Sequence, residues 1–116
     1  MKQVIQDFLA PRLPLPGVVA WGARLADRSV LSHCYSDWFT APQVEEALGR
    51  LTLAAESLSQ HGIQPIRLCW VFEHARIQLA RRGDGSCVAI FVENRPSLNT
   101  ELLENLLNDF AALPVE

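Results

Sequence analysis

The chain has 116 residues, 49% of them hydrophobic and 20% charged, with a formal net charge of −3. That is the length of one domain, 1–116, with ample apolar material for a core, and it excludes a disordered chain. No run of Lys or Arg is present, so nucleic acid and anionic membrane are poor main partners, and the isolated pair Arg81-Arg82 reads as a solvated strand end.

Residues 2–10 place Val4, Ile5, Phe8 and Leu9 at helical spacing, and Pro11, Pro14 and Pro16 end that helix. Charge and amide groups inside residues 1–7 do not fit a signal peptide. No stretch reaches the length of a membrane span, so a cytoplasmic location is expected. Gly17 releases the chain into a strand over 18–26. Its alternation sets Val19, Trp21, Ala23 and Leu25 against Val18, Ala20, Gly22 and Arg24. Gly22 inside a strand predicts a bulge or the close approach of a helix. A short polar turn at Asp27-Arg28 leads to a second strand over 29–36.

The central helix, 42–61, is the best-signalled element. Thr40 caps it, Pro42 suits its first turn, and Gln43 completes a capping box. Glu45 and Glu46 sit where the helix dipole favours negative charge, and Glu46 pairs with Arg50 at i,i+4. Val44, Leu48, Leu51, Ala55 and Leu58 form one apolar stripe, and His61-Gly62 closes the helix. Before it, Phe39 fits a hydrophobic staple against Val44. Trp38 is left over, either core or an interface anchor.

Residues 66–93 read as a three-stranded meander: 66–73, 76–82 and 86–93, the last two joined by the hairpin turn Gly83-Asp84-Gly85. The run Leu68-Cys69-Trp70-Val71-Phe72 is apolar on both faces, which predicts a strand covered from both sides. Val88, Ile90 and Val92 oppose Cys87, Ala89 and Phe91. Pro96 and Ser97 break the meander. A last helix, capped by Ser97 or Asn99, carries Leu102, Leu103, Leu106, Leu107, Phe110 and Leu113 in a wide stripe and stops at Pro114. The predicted architecture is layered α/β (α+β). A five-stranded, mostly antiparallel sheet has the central helix on one face and the terminal helices on the other.

No catalytic motif emerges. His33, His61 and His74 have no metal-ligand spacing. Cys34, Cys69 and Cys87 are an odd set without a C-x-x-C pair, read as buried thiols acting as small hydrophobes. A thiol enzyme using Cys34 with His33 or His61 would need a base brought to the sulfur by the fold. Glu45-Glu46 as an acid/base pair is disfavoured, since neighbours on a helix diverge. A sensor domain would need an apolar space, for which Trp21, Trp70 and Phe72 are available.

The order α-β-β-α-β-β-β-α resembles the Roadblock/dynein light chain (Roadblock/LC7-like) family over almost the whole chain. The carriers are Gly17-Val18-Val19 opening the first strand, the acidic helix 42–61, the meander with its Gly83-Asp84-Gly85 turn, and the leucine-rich last helix. Two departures stand out. That family often has an Asp-Gly-type turn in the first hairpin, where this chain has Asp27-Arg28, and Ser32 and His33 make strand 29–36 polar. Profilin and longin domains share related layered shapes.

The resemblance implies a homodimer without catalysis, cofactor or metal. The strand after the central helix pairs across a two-fold axis through Arg67, Cys69, Trp70 and Val71, and the central helices lie side by side at Leu51 and Leu58. Partners of the family are small GTPases or other Roadblock proteins in bacterial and archaeal cells, and the dynein motor in eukaryotes. Trp38, Glu45 and Arg50 are the candidate partner surface. Independently of the resemblance, strand 66–73 has only Arg67 and Glu73 as charges and is poorly guarded against self-association if it lies at an edge.

Overall fold

The computed structural model describes residues 2–13, 15–37, 39–63, 65–73, 75–93 and 100–112. Its elements run α1 (Lys2–Leu9), β1 (Val18–Arg24), β2 (Val30–Cys34), α2 (Ala41–Gln60), β3 (Arg67–Val71), β4 (Ala75–Arg81), β5 (Cys87–Glu93) and α3 (Thr100–Ala111). The predicted order is the observed one. The strands form one sheet, β2-β1-β5-β4-β3, antiparallel at every pairing.

Alternation along the strands sorts side chains into two cores. On one face Trp21, Ala23, Val88, Ile90 and Val92 meet Ile5, Phe8 and Leu9 of α1 and Leu103, Leu106, Leu107 and Phe110 of α3. On the other, Ala20, Ile77, Leu79, Ala89 and Phe91 meet Val44, Leu48 and Leu51 of α2. The central helix and the two terminal helices are thus on opposite faces, as the patterning requires. Leu58 is only half-buried, and Leu102 at the edge of the α3 stripe is exposed. Leu113 and the capping residues proposed for α3 lie outside the described residues, as does His74.

One alternation is broken. Val18 pairs with Val92 but Ala20 with Phe91, so a bulge falls between them. Val18 therefore joins the α1/α3 core and Val19 the α2 core, the reverse of strict alternation from Trp21 backward. Gly22 marks the other expected event, close approach of a helix. A Cβ there would stand 3.0 Å from Val44 Cγ1 and 3.3 Å from Leu48 Cδ2.

Both ends of α2 are built as the sequence predicts. Thr40 Oγ1 accepts from Gln43 N at 3.4 Å, and Gln43 Oε1 accepts from Thr40 N at 2.9 Å. Phe39 packs in the same core as Val44, its ring edge-on to Phe91 at 5.2 Å. At the far end Gly62 has φ 82°, and Ile63 N donates to Leu58 O at 3.0 Å, which closes a Schellman cap. His61 Nδ1 lies 2.9 Å from Ser57 O.

Polar contacts fix α2 over the β1/β2 side of its face. Arg24 Nη1 donates to Thr52 Oγ1 at 2.7 Å and pairs with Glu56 at 3.5 Å. Ser32 Oγ donates to Glu45 Oε2 at 3.2 Å.

Arg82 corrects the solvated strand end: it is 2% exposed. The Arg82–Ser86 turn folds it inward, with its guanidinium 3.8 Å from Asp84 and 6.0 Å from the centre of the Phe110 ring. A paired and stacked guanidinium tolerates burial where an isolated one would not.

Candidate dimer and partner interfaces

β3 is an edge strand, not a strand covered on both faces. Arg81 N donates to Ile66 O and Phe72 N donates to Ala75 O, both at 2.8 Å, so residues 66, 68, 70 and 72 bond to β4. By the same alternation, the N–H and C=O groups of Arg67, Cys69 and Val71 point away from the sheet. Leu68 and Trp70 are half-buried against the α2 core. Ile66 and Phe72, on the same face, are 61% and 53% exposed, and Val71 on the other face is 74% exposed. The apolar run therefore ends in open surface. A run of this kind is silent on whether its own chain or a second one covers it.

Arg67 is held on the α3 side of this edge. Nη1 donates to Glu104 Oε2 and to Asn108 Oδ1, both at 2.9 Å, and Nη2 donates to Glu104 Oε1 at 3.2 Å. This bidentate hold is geometrically specific. The hydrogen bond from Arg67 lowers the carboxyl pKa of Glu104 below its ordinary value; it outweighs the upward push of burial, and the charges of Arg67 and Arg76 add to it. Glu104 and Asn108 were not legible as parts of this surface, because they lie 37 and 41 positions from Arg67. Their i,i+4 spacing on α3 is the one signal the sequence carries.

The other predicted residues separate. Cys69 is exposed, which corrects its reading as a buried thiol. Leu51 belongs to the chain's own core beneath α2, so Leu58 is the more accessible of the two helix residues assigned to the dimer contact. Glu45 and Arg50 are both exposed on α2, and Arg50 Nη2 meets Glu46 Oε1 at 2.9 Å, the predicted i,i+4 pair. Trp38 lies outside the described residues.

The geometry does not assemble the alternatives. Cys34 packs toward the α2 core, while His33, one residue back, projects from the opposite face with its ring 4.6 Å from Tyr35. His61 is at the end of α2. Cys87 is buried, and that burial pushes its thiol up to about 11, far from a reactive thiolate. Trp21 and Trp70 face opposite cores, so with Phe72 they do not line one space. Two surface grooves are present on the α1 side. One, of about 300 Å³, has Arg12, Leu102 and Asp109 in its wall; the other, of about 280 Å³, has Trp21, His33 and Tyr35. Among the described residues no group of three or more His, Cys, Asp or Glu is placed to hold a metal ion, and no helix is long and apolar enough to cross a membrane.

No protein-family model matches the sequence, and no curated protein matches it. Solved structures match the fold. A Roadblock/LC7 domain from Streptomyces avermitilis superposes with a TM-score of 0.65 at 12% identity, covering 92% of this chain and 91% of that one. MglB of Myxococcus xanthus superposes with a TM-score of 0.59 at 6% identity, covering 92% and 88%.

Proposed function

We propose, from the premise that this chain has the Roadblock/LC7 fold, that it is a non-catalytic homodimeric interaction module, a scaffold or regulator for a small GTPase or another Roadblock-like protein. The observation that carries the dimer is the β3 edge, where open backbone groups adjoin the exposed side chains of Ile66, Val71 and Phe72. An apolar edge of this kind is a template for a further strand. The partner class is the one the family resemblance implies. Its docking surface is the outer face of α2 with Glu45 and Arg50, whose charges give register and specificity more than affinity. Free thiols at Cys34, Cys69 and Cys87 accord with a cytoplasmic setting.

Sedimentation equilibrium in the presence of reductant tests the dimer: a mass twice that of the chain is expected, and a strict monomer at high micromolar concentration overturns the reading. The docking surface is tested by titrating a purified small GTPase from the source cell. Glu45→Lys with Arg50→Glu should weaken binding at least tenfold and leave the dimer intact; unchanged binding moves the partner to another face.

A further inference from the structure

The open edge of β3 has two fixed ends, and together they select a register for self-pairing. At one end stands Pro65, which has no N–H to offer a second strand. At the other, Phe72 N bonds to Ala75 O and closes the β3–β4 hairpin, so Glu73 lies past the last ladder pair. The outward-pointing backbone groups available between these stops are those of Arg67, Cys69 and Val71. In an antiparallel two-fold pairing, the positions of facing residues sum to a constant. Only a sum of 138 uses all three: Arg67 faces Val71 of the second copy, Cys69 faces Cys69, and Val71 faces Arg67. Each such pair exchanges two hydrogen bonds. A shift by two residues in either direction sets one outward residue opposite Pro65 or Glu73 and loses part of the ladder. A shift by one residue sets outward groups against inward ones and forfeits the ladder.

Side chains agree with this register. On the α2 face, Leu68 meets Trp70 and Ile66 meets Phe72 of the second copy, apolar against apolar, at the close, non-hydrogen-bonded positions. These contacts cover the two side chains on that face that are left most open, 61% and 53% exposed. On the α3 face, the stem of Arg67, already anchored to Glu104 and Asn108, lies against Val71 and keeps its charge toward α3.

We infer that a second copy of this chain adds to β3 in the register that places Cys69 on the two-fold axis. The inference rests on the homodimer reading above and goes further by fixing which residues face each other.

Disulfide trapping tests it. Hydrogen-bonded antiparallel pairs have Cα atoms about 5.5 Å apart, inside the about 4.4–6.8 Å range of disulfides. Diamide, which takes up the two electrons and two protons released by two thiols, should link the wild-type chain into a covalent dimer, and Cys69→Ser should abolish the link. In that Cys69→Ser background, a mixture of Ile66→Cys and Phe72→Cys chains should cross-link, while each variant alone should not. Both substitutions fall on exposed side chains and leave the core intact. Sedimentation of the same samples under reductant separates the two claims. A dimer that fails to link at Cys69, or in which Ile66→Cys or Phe72→Cys links to itself, overturns the register and keeps the dimer. A monomer overturns both.

Discussion

The sheet has two open edges, and they are finished in opposite ways. β2 and β3 are each five residues long, and each turns three residues outward: Val30, Ser32 and Cys34 on one, Arg67, Cys69 and Val71 on the other. On β2 the outward-bonding residues send their side chains toward α2. Ser32 is tied to Glu45, Cys34 packs on the α2 core, and Val30 is 37% exposed. Leu31, on the other face, packs on the α1/α3 core. A carboxylate overhangs this edge on the α2 face, a device that blunts strand addition. On β3 the carboxylate contact, Arg67–Glu104, is on the opposite, α3 face, and the α2 face has none among the described contacts. α2 is held over β1 and β2 by Arg24 and Ser32 and leaves the β3 side of the same face open. The edge that looks weaker in sequence, polar and interrupted, is the one guarded by a charged side chain on its α2 face; the edge that looks like buried core is exposed.

The largest expected effect comes from charging the open edge. Val71→Lys places two new ammonium groups beside the two Arg67 side chains of the paired strands; within the monomer it faces Arg76 on β4, just as a Lys at position 30 faces Arg24 on β1. Like charges set face to face cost several kcal/mol, and about 3 kcal/mol raises Kd by roughly a hundredfold. Val30→Lys makes the same change at a matching position on β2 and should leave assembly unchanged. Sedimentation velocity of the two variants over a concentration series compares them directly. If Val30→Lys dissociates the dimer and Val71→Lys does not, the roles of the edges are reversed.

How much of this was legible follows from the same contrast. Periodicities of 3.6 and 2 place every element, because each helix and each central strand buries its apolar stripe within the chain. The faces of β5 and both caps of α2 are cases where local chemistry and tertiary burial agree. Val18 and Val19 exchange faces because a bulge breaks the period, and a run of consecutive apolar residues hides such a break. Arg82 looks like a strand-end cation because its burial depends on α3, which supplies Phe110 from 28 positions further on. β3 lies at the edge that the family resemblance implies, and the cover that its apolar run predicts on both faces is missing for a more general reason. An apolar run records that surface should be buried, and says nothing of which chain does the burying.

A second contrast predicts a smaller effect of opposite sign. The turns Leu25–Ser29 and Arg82–Ser86 are built alike. In each an Asp accepts from the Ser backbone N two residues on, at 2.9 Å, and the residue between them has positive φ. In the β4–β5 turn that residue is Gly85, with φ 89°; in the β1–β2 turn it is Arg28, with φ 72°. A side chain in this region is strained by about 1–2 kcal/mol. Arg28→Gly relieves the strain but adds freedom to the unfolded chain, so the net gain is about 0.5–1 kcal/mol. Thermal unfolding should show a higher Tm with no change in dimer affinity, since Arg28 lies beside β2, at the opposite edge of the sheet from β3. A lower Tm would mean that the Arg28 side chain contributes more than its backbone costs.

The smallest effect is the acid dependence that Glu104 contributes on the β3 side. Glu104 has a pKa below its ordinary value of 4.5 in the folded chain because Arg67 donates to it, and the unfolded chain lacks that partner. The stabilisation is therefore complete above about pH 4.5 and lost as the pH falls through the lower, folded value, since the folded carboxylate must then take up a proton it resists. Its side chain is 42% exposed, so solvent screens the pair and keeps the effect modest. Glu104→Gln removes the titrating group. Asp84 also has a lowered pKa, where the hydrogen bonds from Ser86 and the charge of Arg82 overcome burial, so the wild type loses stability in acid from two places. The difference between wild type and Glu104→Gln isolates one of them. It should be constant from neutral pH to about 5 and shrink below that. A difference that stays flat down to pH 3 would mean that Arg67 is anchored by Asn108 alone, and that the α3 side of the open edge does not depend on charge.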